Sequence, residues 1–261
     1  MVKPWEGFWQ VLYDKADEDV VPFRNTTIAV RKNLGFVVFT RSHFMEIEAF
    51  AKRQGPVSWP PAEEEAVAMF RAFRACAGYC DCREVDGGWM AKQRVTMASD
   101  PRLEGTTISY RFEIDGDICL RRRTLTDGGQ LVETLRRLSC AGTSALAGAW
   151  ESGGSEERWM YLVTAGHYGV MRVESNRPRT PSHGGEFSDT EVYALWKGFG
   201  ANAGARLETK GTFDHWPMIA QVAGYEVRKH ETFHIDSLEE NRLVTSFPPD
   251  EDLGEAWRRI D

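Results

Sequence analysis

The residues of this sequence best suited to moving a proton are its six histidines, because imidazole changes charge near neutral pH. Five of the six lie in the second half of the chain, and His43 is the exception. We take His215, His230 and His43 as candidate general acids or bases. His230 and His234 share one face of a predicted strand, and for them exposure to solvent or packing against the rest of the protein is the alternative interpretation.

Two arginines and four aromatic residues could bind a ligand beside those histidines. An arginine on an inner face of the fold needs a carboxylate or an anionic ligand as its partner, and ordinary surface exposure is the alternative. Large aromatic side chains often line ligand pockets, although they also fill cores. The candidate ligand-binding residues are Arg41, Arg172, Trp89, Tyr110, Trp216 and Tyr225.

Metal and cofactor chemistry is not predicted. Cys76, Cys80 and Cys82 have a spacing that suggests a metal site, but zinc usually takes four ligands, and the second half of the chain has no thiols at the corresponding positions. We therefore interpret these cysteines as small buried apolar residues. The sequence carries neither the glycine-rich dinucleotide signature nor the Gly-Xaa-Ser-Xaa-Gly motif of a serine nucleophile. No cofactor is expected.

The composition narrows the class of protein further. Hydrophobic residues make up 42% of the 261 residues, which is enough for a packed core. A net charge of −7 argues against nucleic-acid binding, and no apolar run reaches the length of about 20 residues that spans a bilayer. The first residues do not form a signal peptide, and the five cysteines are an odd number. Reduced thiols and a cytoplasmic location are therefore expected.

The elements that would position these residues occur twice in the chain. Four blocks recur in the same order: residues 68–78 with 194–204, Gly7-Phe8-Trp9 with Gly148-Ala149-Trp150, the segments after Gly35 and Gly166, and residues 111–115 with 232–236. This alignment also matches Arg41 with Arg172. A stretch of small residues between the copies suits a linker. Two domains are predicted, at 1–139 and 145–261.

Each copy has the pattern of antiparallel strands with one helix. Apolar and polar residues alternate over 108–114, and a period of two is typical of half-buried strands. Ser188 and Glu191 have the spacing of a capping box at the start of the second helix. In the first copy, Pro60-Pro61 and three glutamates favour a helix start. A single short helix among many strands is interpreted as a lid over one end of a barrel.

These motifs resemble the bacterial lipocalin-like domain, a distant relative of the calycin barrels. The first copy carries Gly7, Trp9, Gly35, Ala77-Gly78, and Arg111 followed by Asp115-Gly116-Asp117. The second copy keeps the glycines and the tryptophan but has Thr232 in place of the arginine. The resemblance implies a mostly β fold of two tandem lipocalin-like antiparallel β-barrels, each with one short lid helix. It also implies a cup that holds a small apolar molecule.

Two functions of different classes follow from these features. The favoured hypothesis is a cofactor-independent acid/base enzyme, an isomerase, lyase, hydratase or cyclase, acting on a small apolar or aromatic metabolite. The alternative is a non-catalytic binding or carrier protein for a small hydrophobic ligand, and a haem-binding barrel is a third, weaker interpretation. The expected partner is a small hydrophobic or aromatic ligand, with no nucleic acid and no membrane. The sequence leaves homodimer formation open.

Overall fold

The computed structural model describes residues 2–12, 19–23, 26–30, 34–50, 55–140, 142, 144–223, 230–247 and 250–261, and most of them lie in β-strands. Two closed barrels, each of eight antiparallel strands, follow one another along the chain. The predicted fold class is confirmed, with one short helix in the region of each barrel. Among the described residues, no helix combines the length and the apolar composition that crossing a membrane requires.

The first barrel, barrel 1, is built from the first half of the chain. Its region contains β1 (Gly7–Leu12), β2 (Asp19–Phe23), β3 (Thr26–Val30), β4 (Leu34–Phe39), β5 (His43–Ala49), β6 (Phe73–Val85), β7 (Gly88–Ala98), β8 (Thr107–Asp115), β9 (Ile118–Thr124) and β10 (Gln130–Cys140). Strands β2 and β3 pair with each other as a separate sheet. The other eight close in the order β1-β10-β9-β8-β7-β6-β5-β4.

The second barrel, barrel 2, closes in the order of its sequence, so that its last strand pairs with its first. Its strands are β11 (Gly148–Gly153), β12 (Glu157–Val163), β13 (His167–Glu174), β14 (Phe199–Thr209), β15 (Thr212–Ala220), β16 (Glu231–Leu238), β17 (Arg242–Phe247) and β18 (Asp250–Arg259).

The repeated Gly-Xaa-Trp motif opens each barrel with the same contact. The guanidinium of Arg137 lies over the ring of Trp9 at 4.4 Å, and that of Arg259 lies over Trp150 at 4.3 Å. Such stacking of a cation on an indole is favourable when water is excluded. Gly7 has a φ of +146°, and a Cβ there would lie 2.5 Å from a backbone oxygen. The glycine is therefore required by the close approach of β10.

The strand registers identify which positions of the two barrels correspond. Gly78 and Gly204 both follow a β-bulge in their strands, so the alignment of residues 68–78 with 194–204 is confirmed. Two other repeat blocks, the segments after Gly35 and Gly166 and residues 111–115 with 232–236, were aligned at positions that do not correspond. The registers of β4, β5, β12 and β13 show that His43 of barrel 1 and His167 of barrel 2 occupy equivalent positions. Arg41 therefore does not correspond to Arg172.

The two displaced blocks have different physical causes. The segment after Gly35 is β4, which corresponds to β12, whereas the segment after Gly166 is β13, so these two segments were matched one strand apart. A period-two pattern looks the same after a shift of two residues, and glycine precedes several strands. Residues 111–115 are shifted by two, since Phe112 corresponds to Ile235 and not to Phe233. The shift leaves every side chain on the face that the alternation predicted.

The two barrels pack against each other through apolar outer faces. Phe8, Met45 and Ile47 of barrel 1 lie in one buried cluster with Leu162 and Met171 of barrel 2. Both helices join this cluster: α1 (Glu63–Arg71) contributes Val67 and Phe70, and α2 (Asp189–Lys197) contributes Val192 and Leu195. The helices thus also pack against one another, and the interface between the barrels is a continuous apolar core.

The capping box predicted for α2 is present. The N–H of Glu191 donates to the Ser188 hydroxyl at 3.4 Å, while the Ser188 N–H donates to the Glu191 carboxylate at 2.8 Å. In α1 the N–H of Ala62 donates to the carboxylate of Glu65 at 3.0 Å. Each helix therefore starts with backbone donors satisfied by a side chain of its first turn.

Candidate functional site

Barrel 2 contains a cavity of about 370 Å³ inside its strands. Its walls are mainly aromatic, and they are formed by Trp159, Tyr161, Phe213, Phe233 and Trp257. Trp159 and Trp257 meet edge to face with ring centroids 6.3 Å apart, and the rings of Tyr161 and Trp257 are 5.5 Å apart. The rings are fixed by packing against one another, so the cavity is a preformed apolar space.

A hydrogen-bonded pair of His215 and Tyr161 lies in the wall of this cavity. The His215 Nε2 is 2.8 Å from the Tyr161 hydroxyl, and the imidazole stacks on the ring of Tyr168 with centroids 3.6 Å apart. Burial, and then the positive charge of Arg206, holds the pKa of His215 well below its ordinary value. Burial raises the pKa of Tyr161. Both side chains are therefore neutral at pH 7.

Arg206 of β14 lies beside His215 and Tyr161, and its side chain is completely buried. It donates to the carboxylate of Glu208 at 2.6 Å, and its guanidinium lies 5.5 Å from the ring of Phe213. The carboxylate provides the counter-charge that a buried guanidinium needs. Arg206 thus adds a fixed positive charge near His215 and Tyr161.

The polar part of the cavity lining includes one carboxyl group with an unusual environment. Glu255 of β18 is half-buried beside the aromatic walls, and burial, followed by the nearby charge of Glu157, raises its pKa to about 7. The remaining polar lining residues are Asn202, Glu231, Thr245 and Ser246. Thr245 also accepts a hydrogen bond from the indole N–H of Trp257 at 3.2 Å, which orients that ring.

The corresponding space in barrel 1 holds a buried ion network. The guanidinium of Arg121 has no exposed surface and donates to Glu46 at 2.6 and 2.8 Å and to Glu133 at 2.9 Å. It also lies 4.5 Å from the ring centre of Tyr110. Burial opposes the charge of Arg121, but the two carboxylates hold its pKa above the ordinary value. The centre of barrel 1 is therefore occupied by its own side chains, and a cavity of about 320 Å³ beside this network is lined by Glu46, Glu48, Cys76 and Tyr110, among others.

Of the predicted catalytic residues, only His215 lies in the cavity lining of barrel 2. His230 is on the outer face, where it stacks on Trp216 and contacts the carboxylate of Asp214 at 3.1 Å. His43 is buried at the boundary of the barrels, bonded to Ser42 at 2.9 Å, and burial lowers its pKa. The structure therefore separates the three histidines.

The predicted arginines lie at different places. Arg41 is exposed in the turn between β4 and β5. Arg172 lies on β13, where it pairs with Glu174 at 3.1 Å and Glu157 at 3.4 Å and lies 5.8 Å from the ring of Trp159. Of the two, Arg172 is the one next to the cavity of barrel 2, and carboxylates already neutralise its charge.

The predicted aromatic residues are also dispersed. Tyr110 and Trp89 belong to the interior of barrel 1, whereas Trp216 is 39% exposed on the outside of barrel 2. Tyr225 lies outside the described residues. Tyr161 was not among the predicted residues, and the signal for it in the sequence is the continuous apolar and aromatic segment Trp159-Met160-Tyr161-Leu162-Val163.

The cysteine-rich segment of β6 lies against the interior of barrel 1. Cys76, Cys80 and Cys82 alternate on one face and pack with the apolar cluster there. Burial raises the pKa of Cys82 to about 12 and raises those of Cys76 and Cys80 as well. The thiols are therefore protonated at pH 7.

Three carboxylates inside barrel 1 are close enough to share an ion. One oxygen from each of Glu46, Glu48 and Glu133 lies within 4.8 Å of the others. Two of these carboxylates already bind the guanidinium of Arg121. The arginine supplies the positive charge that a metal ion would otherwise supply.

No protein-family model and no curated protein matches the chain. Among solved structures, the uncharacterized protein YLR301w from Saccharomyces cerevisiae is similar in fold: the TM-score is 0.51, the sequence identity is 11%, and the match covers 97% of this chain and 98% of that one. At this identity the likeness shows the fold alone. The two tandem closed barrels are consistent with a lipocalin-like fold, while membership in the bacterial lipocalin-like family stays a prediction.

Proposed function

We propose that the interior of barrel 2 binds a small, largely apolar or aromatic molecule, and that barrel 1 supports it. One observation carries this proposal. By strand register, the positions of Glu46 and Arg121 in barrel 1 are taken by Val170 and Thr245 in barrel 2. These smaller side chains leave the space that the ion network fills in barrel 1.

The size and lining of the space favour a ligand of one or two rings. Ligand pockets commonly measure about 300–1,000 Å³ and combine apolar walls with a few polar groups, and the 370 Å³ cavity lies at the lower end. The indole N–H of Trp159 is buried without a hydrogen-bond partner among the described residues. An acceptor on a ligand would satisfy this donor, whose desolvation is otherwise uncompensated.

A second candidate function is proton transfer on the bound molecule. The 2.8 Å contact between His215 and Tyr161 supports it, because such a pair can exchange a proton with a ligand. The lowered pKa of His215 makes it a weak base, so binding ranks above catalysis. An isomerase, lyase, hydratase or cyclase reaction would use His215 or Glu255 as the base.

Binding is tested with the neutral fluorescent probe N-phenyl-1-naphthylamine. We expect saturable binding by the wild type and a loss of at least about tenfold, or 1.4 kcal/mol, in Val170→Phe, which fills the cavity. The control is Val132→Phe, since Val132 is 48% exposed on barrel 1, and it should bind as the wild type does. Equal binding by Val170→Phe and the wild type, with both folded by circular dichroism, would place the probe elsewhere and refute the site.

The catalytic candidate is tested with 5-nitrobenzisoxazole, a small aromatic carbon acid. A base removes its ring C–H proton, the electron pair forms the nitrile, and the N–O bond breaks to release a phenolate. We expect a rate above that of buffer which falls in Glu255→Gln or His215→Gln. A rate that is unchanged in both variants would remove proton transfer by these two residues from consideration.

A further inference from the structure

We infer that the ligand of barrel 2 is an organic cation, an ammonium, amidinium or guanidinium group on an apolar or aromatic body. Its charged group would take the place that the guanidinium of Arg121 occupies in barrel 1. This inference rests on the proposed binding function and specifies the chemical class of the ligand. It is carried by the correspondence between the two barrel interiors.

Barrel 1 shows what a buried cation needs in this fold. The guanidinium of Arg121 is held between the carboxylates of Glu46 and Glu133 and above the ring of Tyr110, with no exposed surface. A buried cation is stable only where carboxylates balance its charge, and an aromatic face adds further attraction. Cys76 of β6 lies beside this network, since the charges of Glu46 and Arg121 act on its thiol.

Barrel 2 has a carboxylate and an aromatic ring at the positions that correspond to Glu133 and Tyr110, but it has no arginine between them. The registers of β17 and β18 place Glu255 where Glu133 stands, and those of β15 and β16 place Phe233 where Tyr110 stands. The arginine itself is replaced by Thr245. A carboxylate and an aromatic ring therefore face a cavity at the position that corresponds to the guanidinium of Arg121 in barrel 1.

Two further features of the lining suit a cation with N–H donors. Asn202, which corresponds to Cys76, has its side-chain oxygen buried without a hydrogen-bond partner among the described residues. Glu231 adds a second carboxylate to the lining. An ammonium or guanidinium group would donate to Asn202 and pair with Glu255, while its apolar body contacts Trp159 and Trp257.

The charges around Glu255 agree with this assignment. Among the described residues it has no basic ion-pair partner, and burial and the carboxylate of Glu157 disfavour its ionised form. A bound cation would favour that form. The buried Arg206 is already paired with Glu208, and its charge acts on Tyr161 and His215 in the wall.

The test compares three ligands that share a naphthalene body. They are 1-naphthylmethylamine, which is a cation, 1-naphthylmethanol, which is neutral, and 1-naphthylacetate, which is an anion. Their binding is measured by calorimetry at about pH 8. We expect the amine to bind at least about tenfold more tightly than the alcohol, and the anion to bind most weakly. At about pH 5.5 the preference for the amine should shrink at least about threefold, because Glu255 becomes protonated.

Glu255→Gln provides the decisive variant. It keeps the shape of the side chain, and we expect it to remove the preference for the amine while the affinity for the alcohol changes less than about twofold. The control is Glu240→Gln, an exposed residue whose substitution changes the net charge equally and should leave the preference intact.

Failure of this inference is distinct from failure of the binding function. If the amine binds no more tightly than the alcohol, or if its preference survives in Glu255→Gln, the cation assignment is overturned and the cavity stays a site for neutral ligands. If none of the three ligands nor N-phenyl-1-naphthylamine binds, both proposals are wrong.

Discussion

The interiors of the two barrels differ in whether a charge is built into the chain or left for a ligand. Barrel 1 closes its interior with Arg121 between two glutamates, while barrel 2 has Thr245 and Val170 at the corresponding positions and a cavity beside Glu255. The eight strands of each barrel pair in the same order, although β16–β17 and β17–β18 carry bulges that the corresponding pairs of barrel 1 lack. The comparison teaches that one arrangement of eight strands can enclose either a buried ion network or an aromatic cavity.

The largest expected effect tests the filled barrel. Arg121→Met leaves two buried carboxylates without their counter-charge, and we expect the free energy of unfolding in urea to fall by about 3–5 kcal/mol. The matched variant in barrel 2, Thr245→Met, should cost less, about 1–2 kcal/mol, because it removes the acceptor of the Trp257 indole N–H but leaves no charge without its partner. Similar losses in both variants would show that the two interiors are filled alike.

A smaller effect is expected in the wall of the open barrel. Tyr161→Phe removes the hydroxyl that bonds to the buried Nε2 of His215, and leaving that atom unsatisfied should cost about 1–3 kcal/mol of unfolding free energy. Tyr193→Phe, on the half-buried surface of α2, serves as the control and should cost less. An unchanged stability of Tyr161→Phe would mean that the pair contributes nothing to the folded state.

The raised pKa of Glu255 makes the contribution of this residue to stability depend on pH. The pKa of Glu255 is raised to about 7 in the folded protein from an ordinary value of 4.5, so the folded state binds more protons than the unfolded state between these values. The stability contribution is therefore fully present below about pH 4.5 and is lost as the pH rises through about 7.

Urea unfolding of the wild type and Glu255→Gln measures this loss. We expect the wild type to lose about 1–2 kcal/mol more than the variant between about pH 5 and pH 8, after allowance for the partial exposure of the carboxyl group. Other titrating groups act equally in both proteins and cancel in the difference. Parallel pH curves would show that Glu255 titrates normally.

The smallest effect is predicted on the outer face of barrel 2. The side chain of His230 is 51% exposed and contacts Asp214 at 3.1 Å, and exposed ion pairs contribute little. His230→Ala should change stability by less than about 0.5 kcal/mol and probe binding by less than twofold. A large loss of probe binding would bring this outer face into the site.

The sequence predicted the fold better than the site for a physical reason. Alternation identified the strands, the Ser188–Glu191 spacing identified the start of α2, and the repeat identified two barrels. These signals are local in the chain. The site depends instead on register around a closed barrel, which brings residues as distant as Tyr161, His215 and Glu255 to one cavity. His215 was found because its type suggested chemistry, whereas nothing local distinguished Glu255 from other glutamates.

The pattern also could not distinguish a filled interior from an open one. Arg121 belongs to a run of three arginines that the alternation assigns to a strand with two faces, and the sequence gives no local sign that the middle of the strand pairs with Glu46, seventy-five residues away. Period-two patterns also tolerate a shift of two residues. This is why residues 111–115 were matched to the wrong register, although their inward and outward faces were predicted correctly.

The most direct test of the difference between the barrels is a crystal structure of the protein soaked with 4-bromo-1-naphthylmethylamine, with the bromine located by its anomalous signal. Our account predicts one peak inside barrel 2, among Trp159, Phe233 and Trp257, with the nitrogen next to Glu255. A peak inside barrel 1, or peaks confined to the outer surface while the cavity of barrel 2 stays empty, would contradict it.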